Sequence, residues 1–350
     1  MNSEKILSEN KNTKSKWVIP GLIAGCVVLI YVCTLIGITS IPFGEANRIL
    51  LNKLFHIHLG GAFDEGQTAI IFSIRLPRVI LCFITGGALA ICGCAYQGIF
   101  KNPMADPFIL GVSSGAALGA AVGIVLNFSS SYMGMGGTTV LAFVGALGSI
   151  LLVYAISRVG RRVPVANLLL SGIAMSQTLS AFMSILMIFN RESMDRIMFW
   201  TMGSFNGKGW SQVWIVLPFV IIGCIVLFTC SGELDIMLLG EDTAMQLGVD
   251  TEKLKLKVLI TSSVLVGAVV SVTGIIGFVG LVVPHVVRMI IGPKHRALMP
   301  FSILCGGAFL VFCDTLARSL VSQEMPVGVI TAAFGGPFFI YLLRKQRKGA

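Results

Sequence analysis

Charge is scarce in this sequence. Asp, Glu, Lys and Arg together supply 12% of its 350 residues, against roughly 25% in soluble domains. So few charges cannot cover a water-soluble fold, and a mean hydropathy of +0.88 assigns most of the surface to lipid. Nucleotide-binding signatures are missing too. No G-x-x-x-x-G-K-[ST] stretch occurs, which excludes a P-loop ATPase. The nine cysteines lie in apolar runs without a C-x-x-C pair and read as small packing residues rather than metal ligands. His56, His58, His285 and His295 stand apart from any acidic partner at metal or catalytic spacing. No catalytic residue, metal site or bound cofactor is therefore assigned to the chain.

What the sequence does have is hydrophobic length. Apolar segments run over residues 17–38, 79–97, 109–126, 139–157, 166–189, 212–230, 258–275, 278–292, 301–320 and 326–343. Most approach the roughly 20 residues that a helix needs to cross a bilayer. The expected fold class is an all-α integral membrane protein with about ten transmembrane helices. A single domain covers 1–350, with polar tails at 1–16 and 344–350 and the membrane region at 17–343. The first segment is longer than a signal-peptide core and lacks a cleavage site, so it reads as a retained span. The seventh and eighth segments are separated only by a turn around Gly274, Gly277 and Gly280.

The formal net charge of +10 is spread over segment ends and not gathered on one face, which argues against a nucleic-acid partner. Lys5, Lys11, Lys14, Lys16, Arg158, Arg162, Lys253, Lys257, Arg344 and Lys348 fall on one side of a ten-span arrangement. Arg48, Lys53, Arg75, Arg78, Arg191, Arg196, Lys208 and Arg318 fall on the other. The excess of basic residues marks the cytoplasmic side and puts both termini there. Long connections remain at 39–78 and 190–211 outside and at about 231–257 inside. A short outer helix is expected near Ala46–His56.

Several features carry more specific readings. Gly111, Gly115, Gly119 and Gly123 recur every four residues, which predicts a close helix–helix contact, with a pore-lining face as the alternative. Asp314 is an acidic residue inside a span, four residues before Arg318. That spacing suits a pair on one helix face, whereas a proton-coupled carrier would have to depend on Asp314 alone. Arg75-Leu76-Pro77-Arg78 puts positive charge on the outer side. It reads either as a helix start with snorkelling arginines or as a docking point for carboxylates of an extracytoplasmic partner, with Arg318 contributing. Leu239, Gly240, Glu241, Asp242, Ala244, Leu247 and Gly248 mark a short amphipathic helix carrying acid on the basic side. It is either solvated or a docking helix for an ATPase subunit.

These residues also carry a family resemblance. The run RLPRVILCFITGGALAICGCAYQGIFKNPMADPFILG (75–111) resembles the permeases of iron–siderophore, vitamin B12 (cobalamin) and haem ATP-binding-cassette importers. FWTMG (199–203), LGEDTAMQLG (239–248), GIIGFVGLVVPHVVR (274–288), GPKHR (292–296), DTLAR (314–318) and MPVGVITAAFGGP (325–337) follow in the expected order. The resemblance implies a permease fold like that of the vitamin B12 importers, in a bacterial plasma membrane. It further implies two permease copies or paralogues around a central pathway, an extracytoplasmic substrate-binding lipoprotein, and separate ATPase subunits that use ATP. Arg75, Arg78 and Arg318 match its binding-protein docking positions, and the 231–257 loop matches its ATPase-coupling region. Asn102, Pro103 and Met104 resemble its cytoplasmic gate. Ser171, Ser176, Gln177 and Ser180 are candidates to line the pathway, or else to hydrogen-bond between helices. An iron–siderophore complex is the expected cargo, with haem or cobalamin as the alternative. Lys294 and Lys208 depart from the family pattern, and Lys208 could be a ligand-specific feature.

Overall fold

The structure, a computed structural model, describes residues 3–37, 39–55, 64–128, 131–132, 135–160, 162–320 and 324–348. His56 and His58 lie outside these. The first helices are α1 Ser3–Leu35, α2 Phe43–Phe55, α3 Glu65–Ala69, α4 Leu76–Ile99 and α5 Val112–Val125. Next come α6 Gly137–Ser157, α7 Val165–Phe189, α8 Met194–Thr201, α9 Trp210–Thr229 and α10 Ser231–Met237. The last five are α11 Glu241–Gln246, α12 Thr251–Thr273, α13 Val279–Ile291, α14 His295–Ser319 and α15 Val327–Lys348. A two-residue hairpin, β1 Ser131–Tyr132 with β2 Met135–Gly136, joins α5 to α6.

Among the described residues, seven helices are long and apolar enough to cross a membrane. Shorter apolar helices, Val112–Val125, Val279–Ile291 and Val327–Tyr341, occupy the third, eighth and tenth predicted segments. The α3–α4 span lies at the centre, with 83% of its apolar window buried, whereas α7 is at the rim with 6%. The outer helix expected near Ala46–His56 is α2.

Three boundaries differ from the sequence reading. The helical path of α1 begins at Ser3, so the polar residues before Trp17 extend the first helix. Arg75-Leu76-Pro77-Arg78 lies inside a continuous helical path and not at its start, because α3 runs through a π turn, Ile70–Arg75, into α4. In that turn the Leu76 N–H reaches back five residues to the Ile71 carbonyl. Pro77 has no N–H for the next carbonyl, Phe72, and the Trp210 indole donates to it instead at 2.9 Å. The helix thus passes a proline without leaving an orphan acceptor. Finally, α12 starts at Thr251, so the end of the predicted inner connection is already helix.

Helices α5 and α13 are short because irregular backbone precedes each of them inside the bundle. Their 14 and 13 residues span roughly 20 Å, less than a hydrocarbon core of about 30 Å. Residues 100–111 return from the end of α4 until Pro107 packs beside Gly280, at the level of Leu89 near the middle of α4. Residues 274–278 enter from the opposite end. A Cβ on Gly93 would lie 1.7 Å from the Gly280 carbonyl oxygen, so only glycine allows this approach. Backbone that departs from the α-helix, here a 3-10 turn at Pro107–Leu110 and the stretch 274–278, persists at this depth where protein covers it.

The glycine stripe is a packing device. Cβ atoms on Gly115 and Gly119 would lie 2.3 and 2.1 Å from the Gly145 and Leu141 carbonyl oxygens of α6. The two backbones therefore touch directly. Gly119→Val should destabilise the chain by about 3 kcal/mol, the upper end for overpacking. Gly148→Ala on α6, where a Cβ meets nothing within 4 Å, should be neutral or stabilising. Thermal denaturation of the two purified variants checks the contrast, and equal melting would refute the backbone contact.

Candidate functional site

Arg75, Arg78 and Arg318 gather at one end of the bundle, here called the arginine end. Both sequence readings, snorkelling arginines or a docking point, put these side chains towards the outer surface; the structure buries all three, at 5%, 6% and 3% exposure. Asp314, 1% exposed, holds two of them. Arg78 grips it with Nε and Nη2 at 2.9–3.2 Å and gives Nη1 to Glu324 at 2.9 Å. Arg318 places Nε 3.6 Å from Asp314, one helical turn away as its spacing predicts. Its other nitrogens donate to the carbonyls of Cys33 and Ile36. Arg75 donates to the Leu35 and Thr39 carbonyls. The guanidiniums thereby cap the open carbonyls at the end of α1, which has no further helical donors.

The opposite end carries α10 and α11. Gly240 and Gly248 take positive φ and bracket α11 as the sequence indicates. Ala244 packs inward, while Leu239, Met245 and Leu247 stay 67%, 43% and 59% exposed, beside the exposed Asp242. A knot that sequence reasoning misses fastens this helix. The buried Lys255 of α12 donates to Glu241 and Glu252, and Glu252 accepts the Val163 N–H from the α6–α7 connection at 2.9 Å. Only the i,i+3 spacing of Glu252 and Lys255 is legible in the sequence. His295, expected in a loop, is fully buried at the first turn of α14. Its Nδ1 and backbone N–H both meet Asp235 Oδ1, at 2.8 and 2.7 Å.

The remaining candidates lie on the α4–α5 connection and on α7. Asn102 is exposed, and its side chain accepts the Met104 N–H at 2.9 Å. Pro103 and Met104 line a small pocket together with Leu281, Val282 and His285 of α13 and Phe339 of α15. Arg288 of α13 donates to Gln97 of α4 at 2.7 Å. On α7, Ser171, Ser176 and Ser180 are half-buried and Gln177 is exposed. Ser176 sits near Gly111, where a Cβ would be 3.4 Å from its hydroxyl. No His/Cys/Asp/Glu cluster suited to a metal ion occurs among the described residues.

A model of the FecCD transport family matches residues 25–345. The chain belongs to that family. Among its FecCD relatives is the cobalamin import system permease BtuC of Halobacterium salinarum. The two are 46% identical over 282 residues, 81% of this chain and 75% of the relative. The Fe(3+)-citrate import system permease YfmD of Bacillus subtilis is 38% identical over 309 residues, 88% of this chain and 90% of the relative. A solved metal-chelate type ABC transporter in an inward-facing conformation shares the fold, with a TM-score of 0.81 and 31% identity. The match covers 94% of this chain and 99% of that one. This FecCD chain is therefore a multi-pass membrane permease of an ABC importer, a transport component and not an enzyme.

Proposed function

We propose that the permease carries a ferric siderophore or a similar iron chelate across a bacterial plasma membrane. It works as a dimer with an identical copy or a paralogue. A substrate-binding protein loads it at the arginine end, and ATPase subunits drive it from the α11 end. Both termini are cytoplasmic in this arrangement. The observation that carries the reading is the α11 end, where exposed Leu239, Met245 and Leu247 beside Asp242 form an apolar and acidic surface suited to a partner. At the arginine end, carboxylates of the binding protein compete with Asp314 and Glu324 for Arg78, with Asp314 for Arg318, and with the Leu35 and Thr39 carbonyls for Arg75. Docking is then linked to loosening of that end.

The pathway runs along α7, where few residues are fully buried and whose Ser/Gln content suits a facing copy better than lipid. Ser171, Ser176, Gln177 and Ser180 line it, and Asn102, Pro103 and Met104 close it on the cytoplasmic side against α13. The similarity to an Fe(3+)-citrate permease and a metal-chelate transporter supports an iron chelate. Cobalamin is the second reading, favoured by the 46% identical relative. Uptake of radiolabelled iron, offered with several siderophores, and of labelled cyanocobalamin by cells lacking the chain decides between them. Iron uptake restored by the gene supports the first reading. Cobalamin uptake restored without iron uptake replaces it with the second.

A further inference from the structure

At the arginine end, a cavity of about 600 Å³ opens between α8, the loop 203–209, the end of α12 and Glu324. Its size falls within the range of small-molecule sites. The loop that forms one wall is firmly built. Phe205 is fully buried, the Ser204 N–H donates to the Thr273 carbonyl at 2.7 Å, and the Gly328 N–H reaches Gly203. On this anchored loop Lys208 lines the cavity, half-buried. Among the described residues its ammonium has no hydrogen-bonded or ionic partner, and burial pushes its pKa below the usual lysine range. A partly desolvated cation without a counter-charge is costly, and Lys208 lines a space where an anion could supply that charge.

The rest of the lining agrees. Glu324 is neutralised by Arg78 at 2.9 Å. Among the described residues, Arg196 donates to neutral groups, Asn127, Ser193 and the Ile124 carbonyl. The formal charges of the lining, Asp195 and Glu324 against Arg196 and Lys208, sum to zero, and the pairing of Glu324 with Arg78 draws one of the two acids away from the cavity. Trp200 adds an aromatic wall.

We infer that this cavity is a substrate subsite in which Lys208 binds a carboxylate or similar anionic group of the transported chelate. The inference rests on the proposed import function and narrows it, since it selects anionic cargo over uncharged corrinoid. An anionic lipid headgroup has the same chemistry, so the test uses nanodiscs of zwitterionic lipid alone. The chain, assembled with its ATPase, is treated with an amine-acylating reagent, and labelling at Lys208 is read by mass spectrometry. Lys253, whose side chain is 86% exposed at the opposite end, is the internal control.

Ferric citrate and hemin should each lower acylation of Lys208 at least fivefold while cyanocobalamin does not, with Lys253 unchanged throughout. In proteoliposomes, Lys208→Gln should cut uptake of the anionic chelate at least tenfold and Lys208→Arg should restore it. Acylation of Lys208 that is indifferent to both anions, or blocked equally by cyanocobalamin, overturns the subsite. A wild type that transports no iron chelate overturns the proposed cargo instead, and the labelling result still decides the subsite.

Discussion

Asp314→Asn will destabilise the folded permease by about 3–5 kcal/mol, the cost of stranding buried charge. Asp314 is 1% exposed and lies between Arg78 and Arg318, themselves 6% and 3% exposed. An amide keeps the shape but cannot balance either cation. Glu324, with a side chain 23% exposed, still contacts Arg78, which leaves Arg318 without an acid among the described residues. Glu324→Gln is the comparison: it removes a more solvated charge and should cost no more than about 1 kcal/mol. Thermal denaturation of the two variants in the same detergent should rank them in that order. Equal melting would mean that Asp314 is not the keystone of the arginine end. The same cluster makes charge reversal of Arg78 a poor test of docking, because it would put a third acid beside Asp314 and Glu324.

Lys255→Met should uncouple ATP hydrolysis from transport, lowering uptake per ATP hydrolysed at least tenfold. Lys255 is nearly inaccessible and joins α11, through Glu241, to α12 and, through Glu252, to the α6–α7 connection. Methionine leaves two carboxylates facing each other without a cation, so α11 loses its anchor to the spans it would have to move. Adding Glu241→Gln and Glu252→Gln to Lys255→Met removes that repulsion and should recover folding, though not coupling. The ratio of uptake to hydrolysis in proteoliposomes holding the chain and its ATPase is the readout. An unchanged ratio in Lys255→Met would rule out the knot as the transmission point.

Features that depend on near neighbours along the chain are legible in the sequence. The apolar segments, the glycine stripe, the bracketed α11 and the Asp314–Arg318 turn all follow from local periodicity. What the sequence does not convey depends on groups far apart along the chain. Asp314 captures Arg78 across 236 positions, and that capture turns an expected outward patch into a buried cluster. Trp210 lies 138 positions from the carbonyl whose freedom lets the helix pass Pro77. The irregular entries before α5 and α13 look like short loops in hydropathy, because burial by protein satisfies them as well as water would. Lys208 is visible in the sequence as an outer lysine, but its cavity is not.

ATP-driven uptake in a purified system tests the central claim most directly. The chain is reconstituted with its ATPase in proteoliposomes, and binding protein loaded with a labelled ferric chelate is added at the arginine end. Accumulation of label that requires ATP at the α11 end, the ATPase and the binding protein together is the predicted result. Accumulation driven by a proton gradient without the ATPase, and abolished by Asp314→Asn in a folded chain, would contradict it and make this protein a secondary carrier.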